Sequence, residues 1–273
     1  MALHVSREGA TVFLEFNHGR ANEMGLEQLE ALARLGQELR QEGARVLVSY
    51  SRRRTSKGTA IFIAGANVTE RQGWTTAQVA DHVRYQREVL AELRRLPLFH
   101  VALVNGVALG WGTEWLLTAD YRIAAPEARF GLPETGLGIV PGAGGTSELW
   151  ALIGVPQALR LGMTGEPIGA AEALRIGLVQ ELVDDVEVGL DRARALAASV
   201  VRRSPTAVAA FKRGVLASVG LPAELRRGVE SRAYEHCLEM GDATVGREHF
   251  KALVAGESAP WGPMSVLEDE EVL

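Results

Sequence analysis

Apolar residues along this chain fall into two rhythms. Short runs rich in β-branched side chains, at 10–17 (ATVFLEFN), 45–50 (RVLVSY), 60–63 (AIFI), 98–105 (LFHVALVN) and 121–125 (YRIAA), are bounded by Gly, Pro or polar clusters and predict strands. Between the first two runs Leu26, Leu29, Ala33, Gly36 and Leu39 recur at helical spacing, and Val79, Val83, Leu90 and Leu93 do the same ahead of Pro97. Strand and helix therefore alternate, which predicts a layered α/β core with crossover connections. Beyond about residue 185 the strand rhythm stops and helical patterns cover 187–201, 205–217 behind Ser204–Pro205, 222–238 and 243–254. The chain thus closes with a helical appendage. The stretch 262–273 contains proline and is acidic, and is expected to be a loose tail. There is no internal repeat and no low-complexity linker, so a hinge near 185–205 is the one boundary marked.

A chain of 273 residues that is 47% hydrophobic can bury a large core, as one big domain or two small ones. Its net charge of −5, from 29 Lys+Arg against 34 Asp+Glu, provides no overall field to draw nucleic acid or an anionic membrane. The single cysteine, Cys237, permits no internal disulfide and no cysteine metal cluster. The amino-terminal stretch has no apolar signal core and no run reaches membrane-spanning length, so a soluble, cytoplasmic protein without a membrane partner is expected.

The chemistry concentrates in three stretches. In VNGVALGWGTEWLLTAD (104–120) a carboxylate, Glu114, stands between Trp111 and Trp115 just after a glycine-rich strand-to-helix turn. One reading is a surface residue complementing the helix dipole; the other is a reactive group at a turn whose unpaired N–H groups can hold an anion. A second turn, IFIAGANV (61–68), has the same layout. If the two turns converge, the N–H groups of Ala66 and Trp111 can clasp one carbonyl oxygen as an oxyanion hole. The third stretch, FGLPETGLGIVPGAGGTSELW (130–150), holds Glu134 behind Pro133, which predicts a loop position, and a glycine-rich PGAGGT turn opening another helix. Two carboxylates in unlike settings can serve as an acid and a base.

Together NGVALG-WGTE, FGLPETGLGIVPGAGGT and IAGAN resemble the enoyl-CoA hydratase/isomerase family, the crotonase superfamily. ANEM (21–24), MTGEPIGAAEALRIGLVQELV (163–183) and SPTAVAAFKRGV (204–215) extend the likeness, which runs in order from about residue 10 to about residue 250. The two glutamates are twenty residues apart, as in members that hydrate enoyl thioesters. The resemblance implies an α/β fold, a spiral of repeated ββα units. It makes 1–190 a core carrying the active site, 191–261 a helical trimerisation region and 262–273 the acidic tail, within a homotrimer or homohexamer. It implies reversible hydration of a 2-enoyl-CoA to a 3-hydroxyacyl-CoA, a hydro-lyase reaction. Ala66 and Trp111 would form the oxyanion hole, Glu114 would activate water toward Cβ, and Glu134 would supply a proton to Cα. Coenzyme A enters as part of the substrate, without metal or redox cofactor. Arg20 falls where the family carries a basic residue near the CoA phosphates; Ala21, Ala64 and Lys57 are the other expected CoA contacts. Trp111, Gly110, Pro133 and Gly142 are expected to line the substrate pocket. Arg52, Arg53 and Arg54 of SRRRTSK (51–57) either add positive charge there or form a solvated loop.

The chain also departs from the family pattern. Trp111 replaces a usual glycine; its indole either narrows the acyl pocket, favouring short acyl groups, or packs in the core. Asn67 replaces an aspartate, a change the turn tolerates because Asn makes the same local hydrogen bonds. Lys251 is a poor stand-in for the basic residues near the family's C-terminus. His82, His100 and Asp120 are assigned no catalytic role. Two alternatives stand beside hydration. One keeps the fold and oxyanion hole for double-bond isomerisation, thioester hydrolysis or C–C cleavage; the other is a non-catalytic homologue binding RNA or protein through residues 51–57.

Overall fold

In the computed structural model, which describes residues 3–267, each apolar rhythm becomes the expected kind of element. In chain order these are β1 (His4–Glu8), β2 (Thr11–Glu15), α1 (Leu26–Gln41), β3 (Val46–Tyr50), β4 (Ile61–Ile63), α2 (Thr76–Arg95), β5 (Phe99–Val104), β6 (Val107–Leu109), α3 (Trp111–Trp115), β7 (Tyr121–Ala124) and β8 (Arg129–Gly131). There follow α4 (Leu149–Ile153), α5 (Val155–Thr164), β9 (Ile168–Gly169), α6 (Ala170–Arg175), β10 (Glu181–Leu182), α7 (Val186–Val201), α8 (Pro205–Ser218), α9 (Ala223–Glu239), α10 (Asp242–Glu248) and α11 (Phe250–Val254).

The strands sort into two sheets. The larger has the order β1-β2-β3-β5-β7-β10, parallel except for the β1–β2 hairpin; the smaller has the order β4-β6-β8-β9, with β4, β6 and β8 parallel. Consecutive strands alternate between sheets: β3 then β4, β5 then β6, β7 then β8. Each pair is one turn of a spiral of ββα units, and successive turns stack in register, Val46 opposite Phe99 and Val101 opposite Tyr121. The α/β spiral with a helical end is the expected fold.

Burial explains the elements. In α1 the helical spacing places Leu29, Leu32, Leu35 and Leu39 inside, and in α2 it does so for Val89, Leu90 and Leu93. These side chains join Phe16, Phe62, Trp115 and Phe130 in the main core. On the opposite face of the larger sheet Val46, Val48, Val101, Leu103 and Ile123 meet Leu190, Ala193 and Ala197 of α7. Both faces are covered, as a parallel sheet requires. The carboxy-terminal helices leave Phe211, Tyr234, Phe250 and Val254 exposed. Among the described residues no helix is long and apolar enough to cross a membrane.

The tail differs from expectation over the part described. Leu267 is fully buried with Val229, the Ser265 N–H donates to Thr206 Oγ1 at 3.1 Å, and Trp261 Nε1 donates to the Arg202 carbonyl at 2.9 Å. One apolar residue with a socket is enough to hold this part of the chain against the helices. Residues 268–273 of that stretch lie outside the described residues.

Candidate active site

The three stretches singled out in the sequence are the segments that follow β4, β6 and β8. Because these strands are parallel neighbours, the segments emerge at one edge of the smaller sheet, where open parallel sheets carry ligand sites. Close backbone approach holds the turns together. A Cβ on Gly112 would stand 2.1 Å from the Ile63 carbonyl oxygen, so only glycine lets the start of α3 rest on the end of β4. Thr113, which the sequence reading passed over, pins α3 to the strands: its hydroxyl lies 2.7 Å from the Ala108 carbonyl oxygen and accepts from the Gly131 N–H at 3.1 Å.

Ala66 forms a parallel bridge with Met24 in which Met24 N–H donates to Gly65 O and Asn67 N–H donates to Met24 O. The bridge uses the flanking peptides and turns the Ala66 N–H away from Met24. Asn67 Oδ1 accepts from Thr69 Oγ1 at 2.6 Å, the local bond that keeps the turn without an aspartate. Trp111 is the first residue of α3, so its N–H has no acceptor within that helix.

Glu114 is 3% exposed, which excludes the wet-surface reading. Its Oε1 accepts from the Ala143 N–H at 2.7 Å and from the Gly145 N–H at 2.9 Å, both in the PGAGG turn. Burial pushes its pKa up, opposed by those two donors and by the Arg87 charge. Glu134 lies not in a loop but in a 3-10 turn, Pro133–Leu137, with Pro133 at its exposed start. Proline keeps Leu132 before it out of the helical region, at φ −124° and ψ 82°, while its own fixed φ suits the first position of a helical turn, so the turn begins at Pro133 and takes in Glu134. Burial, and then the Glu114 charge, push the Glu134 pKa up to about 7. Glu134 Oε2 is buried and has no hydrogen-bond partner among the described residues. Gly110, at φ +52°, supplies the space: a Cβ there would lie 2.5 Å from Glu134 Oε1.

The Trp111 indole packs in the core rather than lining a pocket. It is 2% exposed and stacks on Trp115 at 5.7 Å between ring centroids and 28° between planes. Its expected narrowing of the acyl space therefore has no basis in this packing. Its Nε1 is buried and has no hydrogen-bond partner among the described residues. Gly142 faces α2, where a Cβ would lie 2.5 Å from Val83 Cγ1. Beside the carboxylates runs an apolar groove of about 510 Å³, walled by Leu132, Val140, Pro141, Gly145, Leu159 and Met163.

Of the expected CoA contacts, Ala21 and Ala64 meet, the Ala64 N–H donating to Ala21 O at 3.1 Å. Arg20 and Lys57 are exposed and make no ion pair among the described residues. The neighbouring arginines are occupied: Arg52 pairs with Glu187 and Glu15, and Arg54 with Glu127. Arg53 donates to Asn17 Oδ1 at 3.0 Å and to the Gly19 carbonyl. His100, fully buried between Ser49 and Thr118, has its pKa pushed down to about 3 by burial, a neutral packing group.

The family model for Enoyl-CoA hydratase/isomerase matches residues 22–253. The Short-chain-enoyl-CoA hydratase of Clostridium acetobutylicum is 34% identical over 188 residues, 69% of this chain and 72% of that protein. The Enoyl-CoA isomerase/hydratase fer4 of Mycosarcoma maydis is 35% identical over 193 residues, 70% of this chain and 69% of that protein. The crystal structure of enoyl-CoA hydratase from Bacillus anthracis superposes with a TM-score of 0.87 at 32% identity, covering 96% of this chain and 99% of that one.

Proposed function

The chain belongs to the enoyl-CoA hydratase/isomerase family, and from that premise we propose that it reversibly hydrates a 2-enoyl-CoA to a 3-hydroxyacyl-CoA. One observation carries the reading: a buried carboxylate, Glu114, and a half-buried one, Glu134, lie at one sheet edge, and Glu134 has its pKa raised to about 7, partly by the Glu114 charge. Such a pair holds one proton and leaves one base near neutrality.

In this mechanism the thioester oxygen accepts from the Ala66 and Trp111 N–H groups, each donor worth roughly 2.7–4 kcal/mol as charge builds on that oxygen. Glu114 takes a proton from water as its oxygen bonds to Cβ, and the Cα–Cβ π electrons move toward the thioester. Glu134 then gives its proton to Cα. Exchange with solvent restores the starting protonation. Arg20 and Lys57, exposed and without an ion pair among the described residues, are the CoA phosphate contacts of this proposal, with Ala21 and Ala64 lending backbone beside them. The groove between Leu132 and Met163 supports an apolar acyl group. Assembly as a homotrimer or homohexamer belongs to the same proposal, supported by the exposed apolar side chains of the C-terminal helices.

A second reading, double-bond isomerisation with one glutamate shuttling a proton, draws support from the relative named as isomerase/hydratase. Loss of the conjugated enoyl-thioester absorbance with crotonyl-CoA separates them. Wild type should hydrate, while folded Glu114→Gln and Glu134→Gln variants should each lose about 10²–10⁴-fold. A folded wild type that adds no water to crotonyl-CoA or to longer 2-enoyl-CoAs, yet shifts a 3-enoyl double bond, would replace hydration by isomerisation.

A further inference from the structure

The peptide group joining Gly142 to Ala143 is engaged at both ends. Its carbonyl oxygen accepts from Arg87 Nε at 2.9 Å, and its N–H donates to Glu114 Oε1 at 2.7 Å. A trans peptide is planar with C=O and N–H pointing opposite ways, so a donor on the carbonyl side and an acceptor on the amide side form one line through a rigid unit. We propose that Arg87 is a positioning residue for the active site: through the Gly142–Ala143 peptide it orients and polarises the N–H that holds the Glu114 carboxylate. This rests on Glu114 being the base of the proposed hydration.

Three observations support the relay. First, α2 grips this turn at two points on one face. Val83, one turn before Arg87, lies so close to Gly142 that a Cβ there would meet its Cγ1 at 2.5 Å. Spacing of i and i+4 puts both side chains on the same side of the helix. Secondly, a cationic donor on a carbonyl strengthens the hydrogen bond made by the same peptide's N–H, because linked hydrogen bonds polarise one another. Thirdly, among the described residues Arg87 is the one charged side chain that lowers the proton affinity of Glu114. The other groups facing Glu114 are the Gly145 N–H, which donates to the same oxygen, and Glu134, whose carboxylate opposes it. The neighbouring charges on α2 are engaged elsewhere: Arg84 pairs with Asp81 in solvent, His82 faces Glu70, and Glu88 lines the cleft between α1 and α2.

The test is a titration of Glu114 that needs no turnover. The δ-carboxyl of Glu114 is followed by NMR in ¹³C-glutamate-labelled protein, its signal assigned by its loss in Glu114→Gln. Arg87→Met should raise the Glu114 midpoint by about one pH unit, a roughly tenfold shift in proton affinity. Arg87→Lys, which keeps the charge, should recover part of it. Arg84→Met removes the same charge from the same helix without touching the peptide and should leave the midpoint in place. In turnover of an enoyl-CoA, the acid limb of kcat/KM should move up with the NMR midpoint while KM changes little. An unmoved midpoint in folded Arg87→Met overturns the relay, as does an equal shift in Arg84→Met. If Arg87→Met does not fold, Arg87→Gln retains a donor without the charge and is read the same way. Absence of hydration in wild type would sink the proposed reaction, while the NMR titration would still decide the relay.

Discussion

The sharpest consequence of the carboxylate pair is a descending pH limb owned by Glu134. The proposed hydration needs Glu134 protonated and Glu114 ionised. With Glu134 raised to about 7, about nine-tenths of it holds its proton at one unit below that value and about one-tenth at one unit above. The sign follows from the role: an acid with a raised pKa works below that pKa and is lost as pH rises through it. Hydration kcat/KM for crotonyl-CoA, followed by absorbance from pH 5 to 9, should therefore fall about tenfold per unit above neutrality. Dehydration of 3-hydroxybutyryl-CoA should share that limb. Hydration is neutral in protons, so one equilibrium constant ties the two directions at every pH, and both need the singly protonated pair. Glu134→Gln should be slower by about 10²–10⁴-fold and should lack the limb. A flat wild-type profile from pH 6 to 9, or the same limb surviving in Glu134→Gln, would refute this assignment of the acid.

Two further outcomes test the framework that carries the pair. Gly112→Ala would drive a Cβ to 2.1 Å from the Ile63 carbonyl and separate the turns bearing Ala66 and Trp111. It should cost about 1–3 kcal/mol in thermal unfolding and, through an ångström-scale displacement, about 10²-fold in kcat/KM; activity within twofold of wild type would mean the contact does not set the geometry. Asn22, buried at φ +55°, reaches Phe16 O at 3.1 Å, Ser51 Oγ at 3.1 Å and Phe62 O at 2.8 Å with its Nδ2. Asn22→Ala strands these acceptors and should lower stability by about 2 kcal/mol or more, seen as a lower urea midpoint at unchanged m; an unchanged midpoint would show that water replaces the amide.

Local periodicity carried the elements whose burial is one-sided or complete. The runs at 45–50 and 98–105 became β3 and β5 because an unbroken β-branched stretch buried on both faces has few other uses. Strands without that signal were invisible. β1 is exposed along its whole length and polar, and β6 and β8 are three residues each. Their pairing is decided by strands distant in the chain. The same division runs through the site. Residue type and order were enough to bring forward Glu114, Glu134, Ala66 and Trp111 as candidates, because chemistry resides in side chains and turn glycines that sequence displays. Whether the Trp111 indole met ligand or core, and that Pro133 opened a helical turn around Glu134, depended on packing neighbours. Arg87 left no trace in the pattern, and the PGAGGT turn stood out as glycine-rich without showing that Ala143 and Gly145 hold Glu114, since an exposed helix arginine and turn amides are ordinary until another segment lies against them. The order of segments is written along one dimension. Their meeting depends on parallel pairing of β4, β6 and β8, which brings residues 66, 111 and 134 to one edge across separations that no local spacing encodes.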